Sequence, residues 1–236
     1  MADIAPTPNP LLARLRIPGE TFRLPSHGMF YTDGELDESV RNGEVEVHPM
    51  TAIDEITLNT PDKLLSGRAI LEIFAKCIPQ IKQPDKLLAK DVDFLLVCLR
   101  MVSFGQFMEV SYRHNCDDAK DHTYQIDMLE MIRSAKVIDP TTISSEYQTA
   151  MQNGQTVVLK PLTYGQVIQL YQSAALSKTS DISYDEAEML VVNTLASVIS
   201  KVDDVTSPEL IREWVINLPL GWKRELERAA QQVSQW

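Results

Sequence analysis

The chain has 236 residues, with 33 acidic and 22 basic side chains, and its formal net charge is −11. An apolar content of 44% and a charged content of 23% are ordinary for a globular protein, which excludes wholesale disorder and fibrous repeats. The acidity argues against a nucleic-acid partner, because phosphate binding depends on an excess of Lys and Arg. No apolar run approaches the roughly 20 residues that cross a bilayer, so no membrane partner is predicted.

The N-terminal residues are rich in proline. Five of the 13 prolines fall within the first 25 residues, three of them in residues 6–10. Proline fixes φ and removes a backbone donor, so we predict an extended, polyproline-like arm over residues 1–20. The first 25 residues carry a net charge of +1, which leaves −12 for the rest. Arg14 and Arg16 are therefore candidates for contacts with a neighbouring copy or another partner. The alternative is a tail without a role.

A β-rich segment follows the arm. Residues 21–24 and 30–31 predict short strands on either side of a turn. The alternation of Glu and Val over residues 44–48 predicts a strand with one buried face. Asp54 follows Thr51 by three residues, which is close to a capping box. A helix should therefore begin at about Thr51.

The same order of signals returns in the second half. Residues 156–163 again give a strand, a proline, an apolar residue and a threonine cap, and Gln166 follows three residues later. The offset between Pro49 and Pro161 is 112 residues. An internal duplication would explain this pattern, with two related halves joined near residues 135–155.

The remaining elements are mostly helical. The predicted helices have apolar residues at helical spacing or an N-terminal capping signal, and they cover residues 63–77, 90–104, 186–202, 208–217 and 222–233. An antiparallel hairpin is predicted from residues 106–114 and 122–127. The predicted core comes from two of the helices and comprises Phe94, Leu95, Val97, Cys98, Met101, Leu190, Val191, Leu195, Val198 and Ile199.

These elements predict an α+β fold, dominated by helices, with small antiparallel sheets and hairpins. We assign the extended arm to residues 1–20, an N-terminal α+β domain to residues 21–135 and a mainly helical C-terminal domain to residues 155–236. The C-terminal domain is a possible divergent repeat of the unit formed by a strand, a proline and a threonine-capped helix.

Motifs of the common enzyme classes do not occur in the sequence. It has no glycine-rich phosphate loop, no zinc-protease helix motif, no nucleophile elbow and no CxxC pair, so no catalytic residue is predicted. The three cysteines are an odd number at wide spacings, which implies no disulfide framework. Cys77 and Cys98 lie in apolar helical patterns and should be buried thiols.

The hairpin carries the best candidate for a metal site. His114, Cys116 and His122 supply three nitrogen or sulfur ligands, whereas a structural zinc site needs four. Zinc would therefore require a carboxylate as well. The other interpretation is a polar hairpin tip without metal, and no cofactor is predicted.

All three tryptophans lie in the last 23 residues. Trp222, Leu226 and Val233 form one stripe at helical spacing, which Trp236 continues. One interpretation is a helix packed on the core of its own chain. The other is a docking helix, because Trp is enriched at interface hot spots. The partner-binding candidates in this region are Trp214, Trp222, Leu226, Val233 and Trp236.

Several segments occur together in an order that resembles a known family. They are LPSHGMFY at residues 24–31, VEVHPMT at 45–51, SGRAILEIFAKCIP at 66–79, DVDFLLVCLRMVSF at 91–104 and IREWVINLP at 211–219. This order resembles the baseplate hub and tail-assembly proteins of contractile-tailed, T-even-like bacteriophages. The hairpin in such proteins looks like a zinc ribbon with two CxxC knuckles, of which only Cys116 remains here, with His114 two residues before it.

The resemblance implies a non-enzymatic, structural or assembly component of the baseplate hub that acts by protein–protein docking. It implies partners among baseplate, hub or tape-measure proteins, or copies of the chain itself. The protein would then be found in the virion baseplate, and in the host cytoplasm during assembly. The alternatives are a transient assembly chaperone absent from the virion, a small metal-binding enzyme, and a regulatory binding module outside phage biology.

Overall fold

The computed structural model describes residues 17–32, 34–40, 42–113, 121–139, 141, 147–177 and 184–233. Helices predominate over small antiparallel sheets, which confirms the predicted α+β class. The helices are α1 (Ala52–Leu58), α2 (Pro61–Leu65), α3 (Arg68–Cys77), α4 (Ala89–Phe104), α5 (Met128–Ser134), α6 (Tyr164–Ser177), α7 (Tyr184–Val198), α8 (Pro208–Ile216) and α9 (Leu220–Val233). The strands are β1 (Glu20–Arg23), β2 (Glu44–Val47), β3 (Phe107–Arg113), β4 (Asp121–Asp127), β5 (Tyr147–Ala150), β6 (Thr156–Leu159) and β7 (Ile199–Val202).

The strands form three antiparallel sheets within the described ranges. β1 pairs with β2, β3 pairs with β4, and β6 lies between β5 and β7. The hairpin predicted from residues 106–114 and 122–127 is confirmed as β3 and β4, with Val110 opposite Tyr124. The predicted strand over residues 44–48 is confirmed as β2.

The partner of β1 differs from the prediction. Residues 30–31 do not form a strand, because turns occupy residues 25–30 and Phe30 has φ of 69°, in the left-handed region. β1 pairs instead with β2, so that Glu20 lies opposite Val47. The turn segment does not pair with a strand. It is hydrogen-bonded instead to Asp91 on α4, as described below.

The helix predicted over residues 63–77 is wrong in its continuity, because it is divided into α2 and α3. Gly67 stands between them with φ of 71°. A Cβ at this position would lie 2.4 Å from the Cδ1 of Ile168. The left-handed backbone and the close approach of α6 therefore both favour glycine here, and the chain changes direction.

The helix predicted over residues 186–202 is also too long. α7 ends at Val198, and the next four residues form β7 against β6. The apolar residues after Val198 also favour a helix, but they form a strand because the edge of β6 offers backbone groups for pairing. Ser183, which with Glu186 forms a sequence capping box for this predicted helix, lies outside the described residues. The last helix is confirmed, although it begins at Leu220, two residues earlier than predicted.

Buried apolar side chains form two main clusters. The first core comprises Leu24, Val45, Val47, Ile73, Phe74, Cys77, Ile78, Ile81, Leu87, Val92, Leu95, Cys98 and Leu99. The second core comprises Met151, Val157, Leu159, Leu195, Val198, Ile199, Val202, Ile211, Val215, Leu226, Ala229 and Val233.

The predicted core residues differ in how deeply they are buried. Five of them are buried as predicted: Leu95, Cys98, Leu195, Val198 and Ile199. Four are only half-buried: Phe94, Val97, Met101 and Leu190. The prediction for Val191 is wrong, because 46% of this residue is exposed. By helical spacing Val191 lies on the same side of α7 as Leu195 and Val198, but one turn nearer the N-terminus, before the α7 residues that the second core buries.

The two segments with the repeated sequence pattern have closely similar structures. β2 and β6 show the same order of exposed and buried residues, and each leads to a threonine-capped helix. The residue after β2, His48, donates its N–H to the carbonyl of Cys77 at the end of α3 (2.8 Å). Correspondingly, Lys160 donates its N–H to the carbonyl of Val198 at the end of α7 (2.9 Å).

The two segments meet at the starts of two helices. Leu88, the N-cap of α4, forms an antiparallel bridge with Thr163, which precedes α6. Ala89 donates its N–H to the carbonyl of Leu162 at 3.0 Å, and Tyr164 donates to Leu87 at 2.7 Å. The backbone therefore links α4 and α6 where both helices begin.

Candidate docking surface

Helix α1 turns both of its isoleucines outward. Ile53 and Ile56 lie one turn apart and are 65% and 67% exposed, whereas Asp54 and Thr57 are buried. This is the reverse of an ordinary amphipathic surface helix, whose apolar side faces the core. The inward acid is tolerated only because it is fully paired.

Asp54 holds α1 to the body of the protein through three side-chain contacts. Its Oδ2 accepts hydrogen bonds from the backbone N–H (2.9 Å) and the hydroxyl (2.6 Å) of Thr51, which completes the predicted capping box. Its Oδ1 accepts from Nζ of Lys76 on α3 at 3.0 Å. Burial opposes ionisation, but these contacts outweigh it and lower the pKa of Asp54 below its ordinary value.

This arrangement predicts a pH dependence. A carboxyl group with a lowered folded-state pKa contributes stability above its unfolded-state pKa, and this stability is lost as the pH falls through the folded-state value. We expect Asp54→Asn to lower the unfolding midpoint at pH 7 and to flatten its decline below about pH 4. Urea unfolding between pH 7 and about pH 3 measures both effects. The matched control is Glu55→Gln at the exposed neighbour; an equally flattened profile in the control would contradict the role of Asp54.

The next helix also exposes aliphatic side chains. Leu64 and Leu65 on α2 are 51% and 83% exposed. Lys63 forms an ion pair with Glu72 on α3 at 2.7 Å, which ties α2 down beside this surface. We refer to Ile53, Ile56, Leu64 and Leu65 together as the aliphatic face. Water-soluble monomers seldom leave many large aliphatic side chains exposed on consecutive elements without a partner.

The β3–β4 hairpin has one apolar side. Cross-strand neighbours share a side of a two-stranded sheet, so the register places three pairs together: Met108 with Ile126, Val110 with Tyr124, and Tyr112 with His122. Tyr112 and Tyr124 are 60% and 58% exposed. The other side carries mainly polar residues. The hairpin is therefore a second exposed surface that suits a partner.

A buried carboxylate fixes the turn segment between β1 and β2. Asp91 on α4 is fully buried and accepts hydrogen bonds from the backbone N–H of Ser26 (3.0 Å), the hydroxyl of Ser26 and the hydroxyl of Tyr31 (2.7 Å). The Tyr31 oxygen accepts in turn from the N–H of Leu88 at 2.9 Å. Burial raises the pKa of Asp91 in spite of these donors. The sequence LPSHGMFY is thus fastened to the start of α4.

The predicted metal ligands are described only in part. His122 lies on β4 and stacks on Tyr124, with ring centroids 6.4 Å apart. His114 and Cys116 lie outside the described residues. Within the part of the chain that the structure describes, no group of three His, Cys, Asp or Glu side chains is placed to hold a metal ion. A zinc site at the hairpin tip remains a sequence prediction.

The two described cysteines are the buried thiols that the sequence predicts. Burial raises the pKa of Cys77 to about 11 and that of Cys98 to about 12. A thiol with so high a pKa is protonated at neutral pH and is a poor nucleophile. No described helix combines the length and apolar character needed to cross a membrane.

The C-terminal candidates are placed on the chain's own core. Leu226 and Val233 are 0% and 2% exposed and belong to the second core, so they are not available to a partner in this fold. Trp222 packs half-buried against the same core, and Trp214 donates its indole N–H to Oε1 of Gln155 at 3.1 Å. Leu226 and Val233 therefore pack within the chain, whereas docking through Trp214 and Trp222 stays a prediction. Arg14, Arg16 and Trp236 lie outside the described residues.

The exposure of the aliphatic face is not predicted by the sequence pattern. Ile53 and Ile56 have helical spacing, and that spacing alone indicates a buried side. The capping pair fixes the start of α1 but forms equally well on an exposed or a buried side of a helix. The contact of Asp54 with Lys76 on α3 is what directs this side of α1 toward the body, and Lys76 is too distant in sequence to be recognised from the local pattern.

A family model described as T4 bacteriophage base plate protein matches residues 31–233, which is most of the chain. The matched range contains the aliphatic face, the hairpin, the second core and every member of the first core except Leu24. No curated protein and no solved structure matches the chain.

Proposed function

Because the chain belongs to the T4 bacteriophage base plate protein family, we propose that it is a structural or assembly component of the baseplate hub of a contractile tail and acts by protein–protein docking. Its partners would be hub or tape-measure proteins, or further copies of itself. It would be made and assembled in the host cytoplasm and would act without a catalytic site or a cofactor.

The observation that carries this proposal is the aliphatic face. Complete burial of one Ile or Leu side chain contributes about 1.5–3 kcal/mol, so Ile53, Ile56, Leu64 and Leu65 offer a partner several kcal/mol of apolar contact. Exposed clusters of this kind mark protein interfaces in soluble proteins. The apolar side of the β3–β4 hairpin supports the same proposal.

The charge supports a partner with basic surface. The net charge of −11 repels a second acidic protein at long range and attracts one of opposite sign. Such attraction raises association rates and orients the encounter, whereas apolar contacts supply the affinity. A basic region on a neighbouring tail protein is therefore the expected complement.

The test is quantitative mass spectrometry of purified, mature phage particles beside the unassembled lysate fraction. We expect a fixed, low copy number of this chain in the particle. Its absence from particles, together with its recovery from the lysate in complex with a tape-measure or hub protein, would instead indicate a transient assembly chaperone. Recovery from neither fraction as a complex would contradict docking altogether.

The same measurement of copy number in particles tests the role of the aliphatic face. We expect the double variant Ile53→Ser and Ile56→Ser to fold but to enter particles at a copy number about tenfold lower, because the lost apolar contact is worth more than 1.4 kcal/mol. The matched control is Leu210→Ser with Leu220→Ser, at positions 54% and 63% exposed on α8 and α9. Equal incorporation of both variants would remove the aliphatic face from the mechanism.

A further inference from the structure

A polar cleft opens between α6, α7 and the start of α8. Its volume is about 460 Å³, which lies within the range of about 300–1,000 Å³ that is usual for small-molecule sites. Ala196, Ile199 and Ile211 give it an apolar floor, and most of the other lining residues carry amide or hydroxyl groups. None of its lining residues belongs to the aliphatic face or to the β3–β4 hairpin. The cleft is therefore a separate feature from the surfaces that suit a protein partner.

The charge of the cleft is opposite to that of the whole chain. Lys160 and Arg212 line it, and no Asp or Glu is among the described residues that do so, although the chain carries a net charge of −11. The two acids of the connection between β7 and α8 have other partners. Asp203 accepts from the first backbone N–H of β6 at 2.9 Å, and Asp204 forms an ion pair with Lys201 at 3.4 Å. The cleft therefore suits an anion.

Contacts with α7 orient the guanidinium of Arg212. Its Nε donates to Oδ1 of Asn193 at 2.7 Å, and its Nη2 contacts Sδ of Met189 at 3.3 Å. Within the described part of the chain, these contacts leave the hydrogens of Nη1 for a ligand. A guanidinium that is already oriented loses less conformational entropy when it binds an anion. Arg212 is thus prepared for a charge-assisted hydrogen bond.

The hydroxyl groups of the cleft can act as acceptors. Ser197 donates its hydroxyl hydrogen to the carbonyl of Asn193 at 2.8 Å, and Ser200 donates to the carbonyl of Val158 at 3.1 Å. Because a hydroxyl has one hydrogen and two lone pairs, each oxygen can still accept from a ligand. Gln169 adds an exposed amide that can donate or accept. The described lining contains no aromatic ring, so it offers no stacking platform for a nucleobase.

We propose that this cleft binds a phosphate monoester of a small polyol, such as a sugar phosphate. The phosphate lies between Lys160 and Arg212, because its charge of about −2 at neutral pH balances these two cations. The hydroxyls of the ligand donate to Ser197 and Ser200, and its carbon skeleton covers the apolar floor. Inorganic phosphate gains only the ionic contacts, and an uncharged sugar gains only the others. This assignment does not depend on the proposed baseplate role.

Isothermal titration of the purified full chain with glucose-6-phosphate tests the assignment at about pH 7.5, where the phosphate is mainly dianionic. We expect this ligand to bind at least about tenfold more tightly than inorganic phosphate or glucose, because each of those lacks one set of contacts. Arg212→Gln and Lys160→Gln should each weaken its binding about tenfold, since each removes one charge-assisted contact. Ala196→Phe, which places a ring on the floor of the cleft, should abolish binding.

The matched control is Arg224→Gln, which removes the same charge at an exposed position on α9 outside the cleft. It should bind glucose-6-phosphate like the unmodified chain. Thermal melting of each variant verifies that it is folded, and the two charge variants provide the test if Ala196→Phe is not. Equal affinity for glucose-6-phosphate and inorganic phosphate would overturn the proposal, as would unchanged affinity in Arg212→Gln or an equal loss in Arg224→Gln. Absence of binding at about 10 mM ligand would overturn it as well.

Discussion

Replacing Leu95 with aspartate is expected to abolish folding of the first core. Leu95 is 0% exposed in the middle of α4, among the buried members of that core. A carboxyl group at this position is destabilising in either protonation state. The ionised form has no counter-charge, and the protonated form has no hydrogen-bond partner. The cost is on the order of 5 kcal/mol, which approaches the whole stability of an ordinary domain. Far-ultraviolet circular dichroism at 25 °C measures the loss of helix.

The control is the same substitution at Val191. The sequence places both residues in the core, but Val191 is 46% exposed on α7. Val191→Asp should therefore retain the helical signal and shift the melting temperature by no more than about 3 °C. A Leu95→Asp protein that melts like the unmodified chain would show that the placement of α4 is incorrect.

The second large effect is expected at Asp91. Asp91→Ala leaves the N–H and hydroxyl of Ser26 and the hydroxyl of Tyr31 without their acceptor. Each abandoned buried donor costs about 1 kcal/mol or more, so we expect a loss of about 3 kcal/mol. Urea unfolding measures it as a lower midpoint. The turn segment should also lose its order, and amide exchange of residues 25–32 should become faster.

Asp93→Ala provides the matched control for Asp91. Asp93 lies on the same helix two residues later and is exposed, so its removal should change the free energy of unfolding by less than about 0.5 kcal/mol. Equal losses in the two variants would mean that the network around Asp91 does not stabilise the fold. A slower exchange of residues 25–32 in Asp91→Ala would contradict the anchoring role directly.

Local sequence chemistry accounts for much of the fold. The alternation of Glu and Val predicts β2, because successive side chains of a strand point to opposite faces and only one face of β2 is buried. Thr51 with Asp54, and Ser207 before Pro208, mark the starts of α1 and α8 because caps act within one helical turn. The β3–β4 hairpin follows from two alternating segments around a polar loop.

The sequence predictions failed where distant residues decide the structure. Gly67 divides a helical pattern because the side chain of Ile168, a hundred residues away, occupies the space beside it. α7 ends at Val198 because β6 provides a strand edge. Phe30 adopts a positive φ while its neighbours are fixed by Asp91. None of these partners is visible from the local pattern, since propensity gives way to tertiary contact.

The candidate site was harder to predict than the fold. Trp222, Leu226 and Val233 form a convincing apolar stripe, but a stripe is equally consistent with packing and with docking, and the second core covers it. Ile53 and Ile56 look like core residues and are instead exposed. Periodicity identifies a side of a helix, whereas its exposure depends on which elements remain to cover it.

The positions of the tryptophans make the two cores optically distinct. All three tryptophans lie in the last 23 residues, and Trp214 and Trp222 pack against the second core. Indole emission therefore originates from the C-terminal part of the chain alone, while circular dichroism averages over the helices of both cores. Recording both signals during one melt would separate the unfolding of the second core from that of the first without a label. Coincident transitions would indicate one cooperative unit, and separate transitions would indicate two.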